Sequence, residues 1–130
     1  MISKIWMLIS LIIVYTLADG TNSQKAKTKL IPSRTHSLVG RLHPGQDIMQ
    51  TLTELLTQHP HKAVTISTAV GSVRYCYIRF ANQSYLSKVD GPLEVTSITG
   101  TFDRNLNPHI HIAVANTAGN AFGGHLPSLK

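Results

Sequence analysis

The sequence holds seven histidines, and three of them are spaced to share one task. His109 and His111 flank Ile110. Residues two apart in an extended strand project from one face, about 6–7 Å apart along the chain. Both imidazoles can then reach one ion while Ile110 points into a core. His125 follows Gly123-Gly124, where the missing side chains permit unusual dihedrals and a close backbone approach. If the last extended segment pairs with the His109 strand across a turn at residues 116–120, His125 joins the pair. Three imidazoles leave one position of a tetrahedral zinc ion open for water or a ligand, which is the catalytic pattern rather than the structural one. The other four histidines, His36, His43, His59 and His61, read as surface or helix-end residues. His59 and His61 flank Pro60, where partial positive charge suits the C-terminal end of a helix.

The elements that must position these rings follow from periodicity. Residues 34–42 alternate as an extended segment, which His43-Pro44-Gly45 breaks. Asp47 is a good helix N-cap, with Gln50 three residues on completing a capping-box pattern. Ile48, Leu52, Leu55, Leu56 and His59 then trace one face of an amphipathic helix that ends before Pro60. Everything after it reads as β. Strands are predicted over 63–70, 73–81, 85–89, 93–102 with an interruption at Gly100, 109–115 and 121–126. Turns are predicted at Gly71-Ser72, Asn82-Gln83-Ser84, Asp90-Gly91-Pro92, 103–108 and 116–120. The fold class is α+β: an antiparallel β-sheet of about seven short strands with one main helix packed on it.

The N-terminus predicts a secretory leader over residues 1–20. Lys4 gives a positive start, Ile5 to Ala18 a short apolar run, and Ala18-Asp19-Gly20 a small-residue cleavage site. Residues 21–33 read as a flexible basic arm carrying Lys25, Lys27 and Lys29, and 34–130 as one domain. The expected compartment is the secretory lumen or the exterior, with no stable membrane span once the leader is removed. The formal charge is +6 and stays +6 without the leader, which takes away Lys4 and Asp19. Such a balance permits polyanion partners, although the basic residues are scattered. The single cysteine, Cys76, lies in an apolar strand-like run and is expected to be buried; it has no partner for an internal disulfide. Asn82-Gln83-Ser84 is an N-glycosylation sequon in an expected exposed turn. No Gly-x-Ser-x-Gly, phosphate loop or Cys-x-x-Cys occurs. Glu94 and Asp103 remain as acid–base candidates, with polar surface or turn as the plainer role.

A series of short motifs runs in order along the chain. It comprises Arg41-Leu42-His43-Pro44-Gly45-Gln46-Asp47, Gly71-Ser72-Val73-Arg74, Ile78-Arg79-Phe80-Ala81 and Gly91-Pro92-Leu93-Glu94-Val95. Gly100-Thr101-Phe102, Pro108-His109-Ile110-His111 and Gly123-Gly124-His125-Leu126 complete it. The series resembles the PPC domain, named for plants and prokaryotes, which also forms the C-terminal part of plant AT-hook nuclear-localised proteins. The resemblance covers residues 34–126. It implies an antiparallel sheet with a helix against it, assembled as a homotrimer. It also implies that His109, His111 and His125 are zinc ligands near a subunit interface. The segment matching Gly91 to Thr96 contacts partners in the plant proteins. Here Pro92, Leu93 and Thr96 depart from that pattern, and Gly91 and Glu94 remain as partner-binding candidates. No Arg-Gly-Arg-Pro AT-hook is present, and the chain stops soon after Gly-Gly-His-Leu, where family members usually continue through another strand.

Three functions compete on these residues. One is a secreted trimer that holds zinc and serves as a binding or scaffold module. Another is a zinc hydrolase of unknown substrate, for which the few carboxylates are a handicap. The third is non-specific DNA binding, which the charge permits and the leader opposes.

Overall fold

A computed structural model describes residues 30, 32, 34–59 and 63–128. The predicted leader, most of the basic arm and His61 lie outside the described residues. No helix among the described residues is long and apolar enough to cross a membrane. Residues 34–42, expected to be extended and alternating, form no strand, and all but the half-buried Leu42 are exposed. Alternation alone does not make a strand, and among the described residues no strand pairs with this segment.

Helix α1 spans Ile48–Thr57. It starts where Asp47 places a carboxylate on the first turn, accepting from the Gln50 backbone N–H at 2.8 Å. The Gln50 side chain donates to Glu54 instead of turning back to the cap. The buried stripe consists of Met49 and Leu56, flanked by Ile48 and Leu52. Leu55 and His59, predicted for this stripe, are exposed. The helix is thus rotated by about one residue from the expected face, bringing Met49 inward.

Five antiparallel strands follow: β1 (Val64–Ile66), β2 (Gly71–Ile78), β3 (Ser87–Phe102), β4 (Pro108–Asn116) and β5 (Ala121–Leu126). Two corrections reduce the predicted seven: residues 34–42 form no strand, and the segments predicted at 85–89 and 93–102 are one strand. The turn expected at Gly71-Ser72 is the start of β2 itself. The turn expected at Asp90-Gly91-Pro92 does not occur either, and β3 runs through it for 16 residues. There the register shifts, with Val73 opposite Leu93 but Tyr75 opposite Asp90, so β3 carries an extra residue as a bulge. Gly91 is required at that point because a Cβ would collide with the Arg74 carbonyl group of β2. Gly100, expected to interrupt, sits inside β3 at φ +143, where a side chain would strike the His109 carbonyl of β4.

β3 is the central strand. One edge pairs with β2 along 87–95 and with β1 along 100–102, and the other pairs with β4 along 93–102. β4 in turn pairs with β5. The sheet curls far enough that β2 meets β5, where Arg79 and His125 exchange both backbone hydrogen bonds at 3.0 and 3.1 Å. The concave face is filled by Cys76, Ile78, Leu93, Val95, Ile98, Phe102, Ile110, Ile112, Val114 and Leu126, together with the helix residues Met49 and Leu56. A second bulge at Thr96 shifts the alternation of β3, so that Leu93 and Val95 are continued by Ile98 and Phe102 on the same face.

Candidate metal centre

The β3–β4 turn sets which residues of β4 face out. The Asp103 carboxylate accepts from the backbone N–H groups of Asn105 and Asn107 and from the Asn107 side chain, at 2.8–2.9 Å. These bonds, led by the Asn107 side chain, hold the Asp103 carboxyl below its ordinary value. Asp103 is therefore the organiser of a turn, the plainer of its two expected roles. β4 leaves that turn with Ile110, Ile112 and Val114 buried, so His109 and His111 stand on the outer face. The β4–β5 turn is closed in the same way, with the Asn116 side chain accepting from the backbone of Ala118 and Asn120. Its register sets His125 directly opposite His111.

The three rings predicted to converge do converge. His109 and His111 stack with centroids 5.3 Å apart, and His125 meets them edge-on at 5.4 and 5.7 Å. One nitrogen from each ring lies within 4.8 Å of the others. Ligand atoms on a tetrahedral zinc with Zn–N distances near 2.0–2.1 Å stand about 3.4 Å apart, so small rotations of the exposed rings close the set. The Nδ1 atom of His125 is buried and has no hydrogen-bond partner, an orphaned polar atom of the kind a bound ion would satisfy. Burial, reinforced by the nearby charges of Arg79, His109 and His111, lowers the His125 pKa and favours the neutral form that binds metal. By these observations the residues fit a divalent metal ion.

Gly123 and Gly124 serve close approach rather than unusual dihedrals. A Cβ on Gly124 would sit 2.7 Å from both the Arg79 carbonyl oxygen and Ile78 Cγ2. That contact lets β5 lie against β2 and carries His125 into the cluster.

Other candidate residues lie elsewhere. Glu94 pairs with Ala115, four residues along β4 from His111 and so about 13 Å away. With Pro92, Leu93, Ala115, Asn116 and Thr117 it lines a separate shallow cleft of about 150 Å³. Gly91 is exposed, and its backbone lies close against Arg74 of β2. Asn82 is exposed in the predicted turn, at φ 60. Cys76 is buried as predicted, and burial pushes its thiol up. His36, His43 and His59 are exposed. Arg79 is a further exposed residue beside the cluster, given no role by the sequence beyond its place in a motif. Its place one residue past β2, within the Ile78-Arg79-Phe80-Ala81 motif, is the signal the sequence offers.

Known proteins resemble this chain in sequence and in fold. An 86-residue stretch is 36% identical to the Bifunctional protein GlmU of Synechococcus sp. (strain JA-2-3B'a(2-13)), covering 66% of this chain and 13% of that protein. The same protein of strain JA-3-3Ab matches at 36% over 86 residues, covering 14% of its length. The chain therefore spans about one seventh of these curated relatives. Among solved structures, a hypothetical protein of Salmonella cholerae-suis (Salmonella enterica) superposes with a TM-score of 0.63 at 31% identity, over 66% of this chain and 62% of that one. A metal-containing protein of Archaeoglobus fulgidus superposes with a TM-score of 0.54 at 30% identity, over 66% and 65%. A Bacteroides thetaiotaomicron protein provisionally named as DNA-binding shares the fold, with a TM-score of 0.55 at 22% identity over 62% and 59%. The model of the Plants and Prokaryotes Conserved (PCC) domain matches residues 31–129, so the chain belongs to that family, the one its ordered motifs resemble.

Proposed function

We propose that this chain is a metal-holding binding or scaffold module, with zinc bound by His109, His111 and His125. The observation that carries the reading is the convergence of three imidazoles, one of which, His125, has a buried Nδ1 with no hydrogen-bond partner. The metal-containing Archaeoglobus relative, 30% identical, agrees with it. When bound, zinc supplies a Lewis-acid centre with a fourth position open to a ligand. The protein's own part is to hold three neutral imidazoles on two strands whose register is fixed by hydrogen-bonded turns. The proposal extends to a homotrimer working in the secretory pathway, with Asn82 as its glycosylation site.

The test is metal analysis of the purified chain together with single His→Ala variants. One zinc per chain, lost in each variant, is the expected result. A wild-type chain that takes up no divalent metal from buffered zinc would sink the reading. Light scattering of the same sample measures the oligomer. Hydrolysis is the weaker assignment, because Asp103 is committed to its turn and Glu94 lies far along the sheet. Non-specific DNA binding has one observation in its favour, the net charge of +6. It predicts an affinity that ignores sequence and falls steeply as salt rises.

A further inference from the structure

The outer row of side chains continues past the histidines. Arg79 and His125 are direct antiparallel partners that exchange both backbone bonds. Partners of that kind stand about 5.5 Å apart at Cα and project from the same face. His125 is likewise opposite His111. Arg79, just past the end of β2, thus forms one row with His125 of β5 and His111 of β4. Arg79 is exposed. No carboxylate pairs with it among the described residues, where the one ion pair joins Lys88 to Asp90. An open cleft of about 370 Å³ runs along the row, lined by Arg79, Phe80, Ala81, His111, Gly123 and His125.

We infer that this cleft binds a small organic carboxylate, which Arg79 grips beside the histidine-held metal. The inference rests on the metal reading above. A divalent ion and a guanidinium place three positive charges along one cleft, and no acidic side chain is in the metal cluster to offset them. An anionic ligand meets that need. The planar fork of Arg79 matches the two oxygens of a carboxylate. Three imidazoles on a tetrahedral ion would leave a fourth position for a ligand. Phe80 and Ala81 offer apolar contact to a short aliphatic tail, whereas the remaining oxygens of inorganic phosphate would lose water against them. The cleft lies at the small end of the range for small-molecule sites.

Cobalt(II) can stand in for zinc and report ligand entry through its visible spectrum. The full chain is loaded with cobalt, its stoichiometry is measured, and butyrate is then titrated by absorption and by calorimetry. Butyrate is expected to shift the cobalt bands and to bind at least tenfold more tightly than inorganic phosphate. Arg79→Ala is expected to keep one cobalt per chain and to weaken butyrate about ten- to a hundredfold. Arg79→Lys, which keeps the charge and loses the fork, is expected to recover part of that loss. Full cobalt loading without butyrate binding, unchanged butyrate affinity in Arg79→Ala, or phosphate binding as tightly as butyrate would each overturn this inference alone. A wild-type chain that takes up no cobalt would remove the metal reading and this inference together.

Discussion

The two faces of β4 are built to different standards of completeness. On the inner face Ile110, Ile112 and Val114 are at most 2% exposed and are packed on all sides. On the outer face His109 and His111 are exposed, and their neighbour His125 keeps a buried nitrogen with nothing to bond. The inner face is finished by folding alone, because apolar side chains need only one another. The outer face, under the proposed function, is finished by an ion taken from solution. One strand thereby separates what holds the fold from what the fold is available to do.

Substitutions can pull that comparison apart. Ile110→Ala should cost the most, about 2–5 kcal/mol, because it opens a void at a fully enclosed site. Denaturant unfolding should report the same loss with zinc present or chelated, and a loss seen only with zinc would contradict the division. His125→Ala should do the reverse. Its stability under chelator should change little, while the gain on adding zinc, about 2.7 kcal/mol at one hundred times the dissociation constant, should vanish. A smaller effect is expected from Gly124→Ala, which sets a methyl group against the Arg79 carbonyl. It should cost about 1–3 kcal/mol and weaken zinc binding as well, since it forces β5 away from β2. The smallest effect belongs to the Asp103 turn, from which both faces begin. The folded carboxyl sits below its ordinary 3.8, so on acidification the unfolded chain takes up the proton first. The stability it contributes is present above pH 3.8 and is lost below it, as pH falls through the folded value. Asp103→Asn should flatten that part of the pH–stability curve, and an unchanged acid limb would show that the turn bonds contribute nothing.

Local chemistry was readable wherever a residue acts on its own neighbours. Asp47 announced the helix, Asn116 and Asp103 announced their turns, and the bounds of β5 matched its sequence pattern. Misreadings arose where a distant backbone decides. Asp90-Gly91-Pro92 has the composition of a turn, yet its glycine answers to Arg74 across the sheet. Gly100 looked like a break and is instead a point where β3 and β4 touch. The helix stripe was misplaced by one position because Leu55 and Met49 are equally apolar, and only the shape of the core selects between them. His109 and His111 could be paired from spacing alone, since both lie on one strand. His125 needed the β4–β5 register as well, and Arg79 needed the curl of the whole sheet.

The Arg79–His125 bridge has a dynamic consequence. It is a seam of two backbone hydrogen bonds, the shortest join in the curled sheet, and one of its two residues is also a metal ligand under the proposed function. Fraying of the seam and departure of the ion then become parts of one event. The amide protons of Arg79 and His125 would exchange with solvent at a rate set by metal occupancy, while those deep in β3 and β4 would not. The ion would act as a rivet at the place where the sheet is otherwise easiest to unzip.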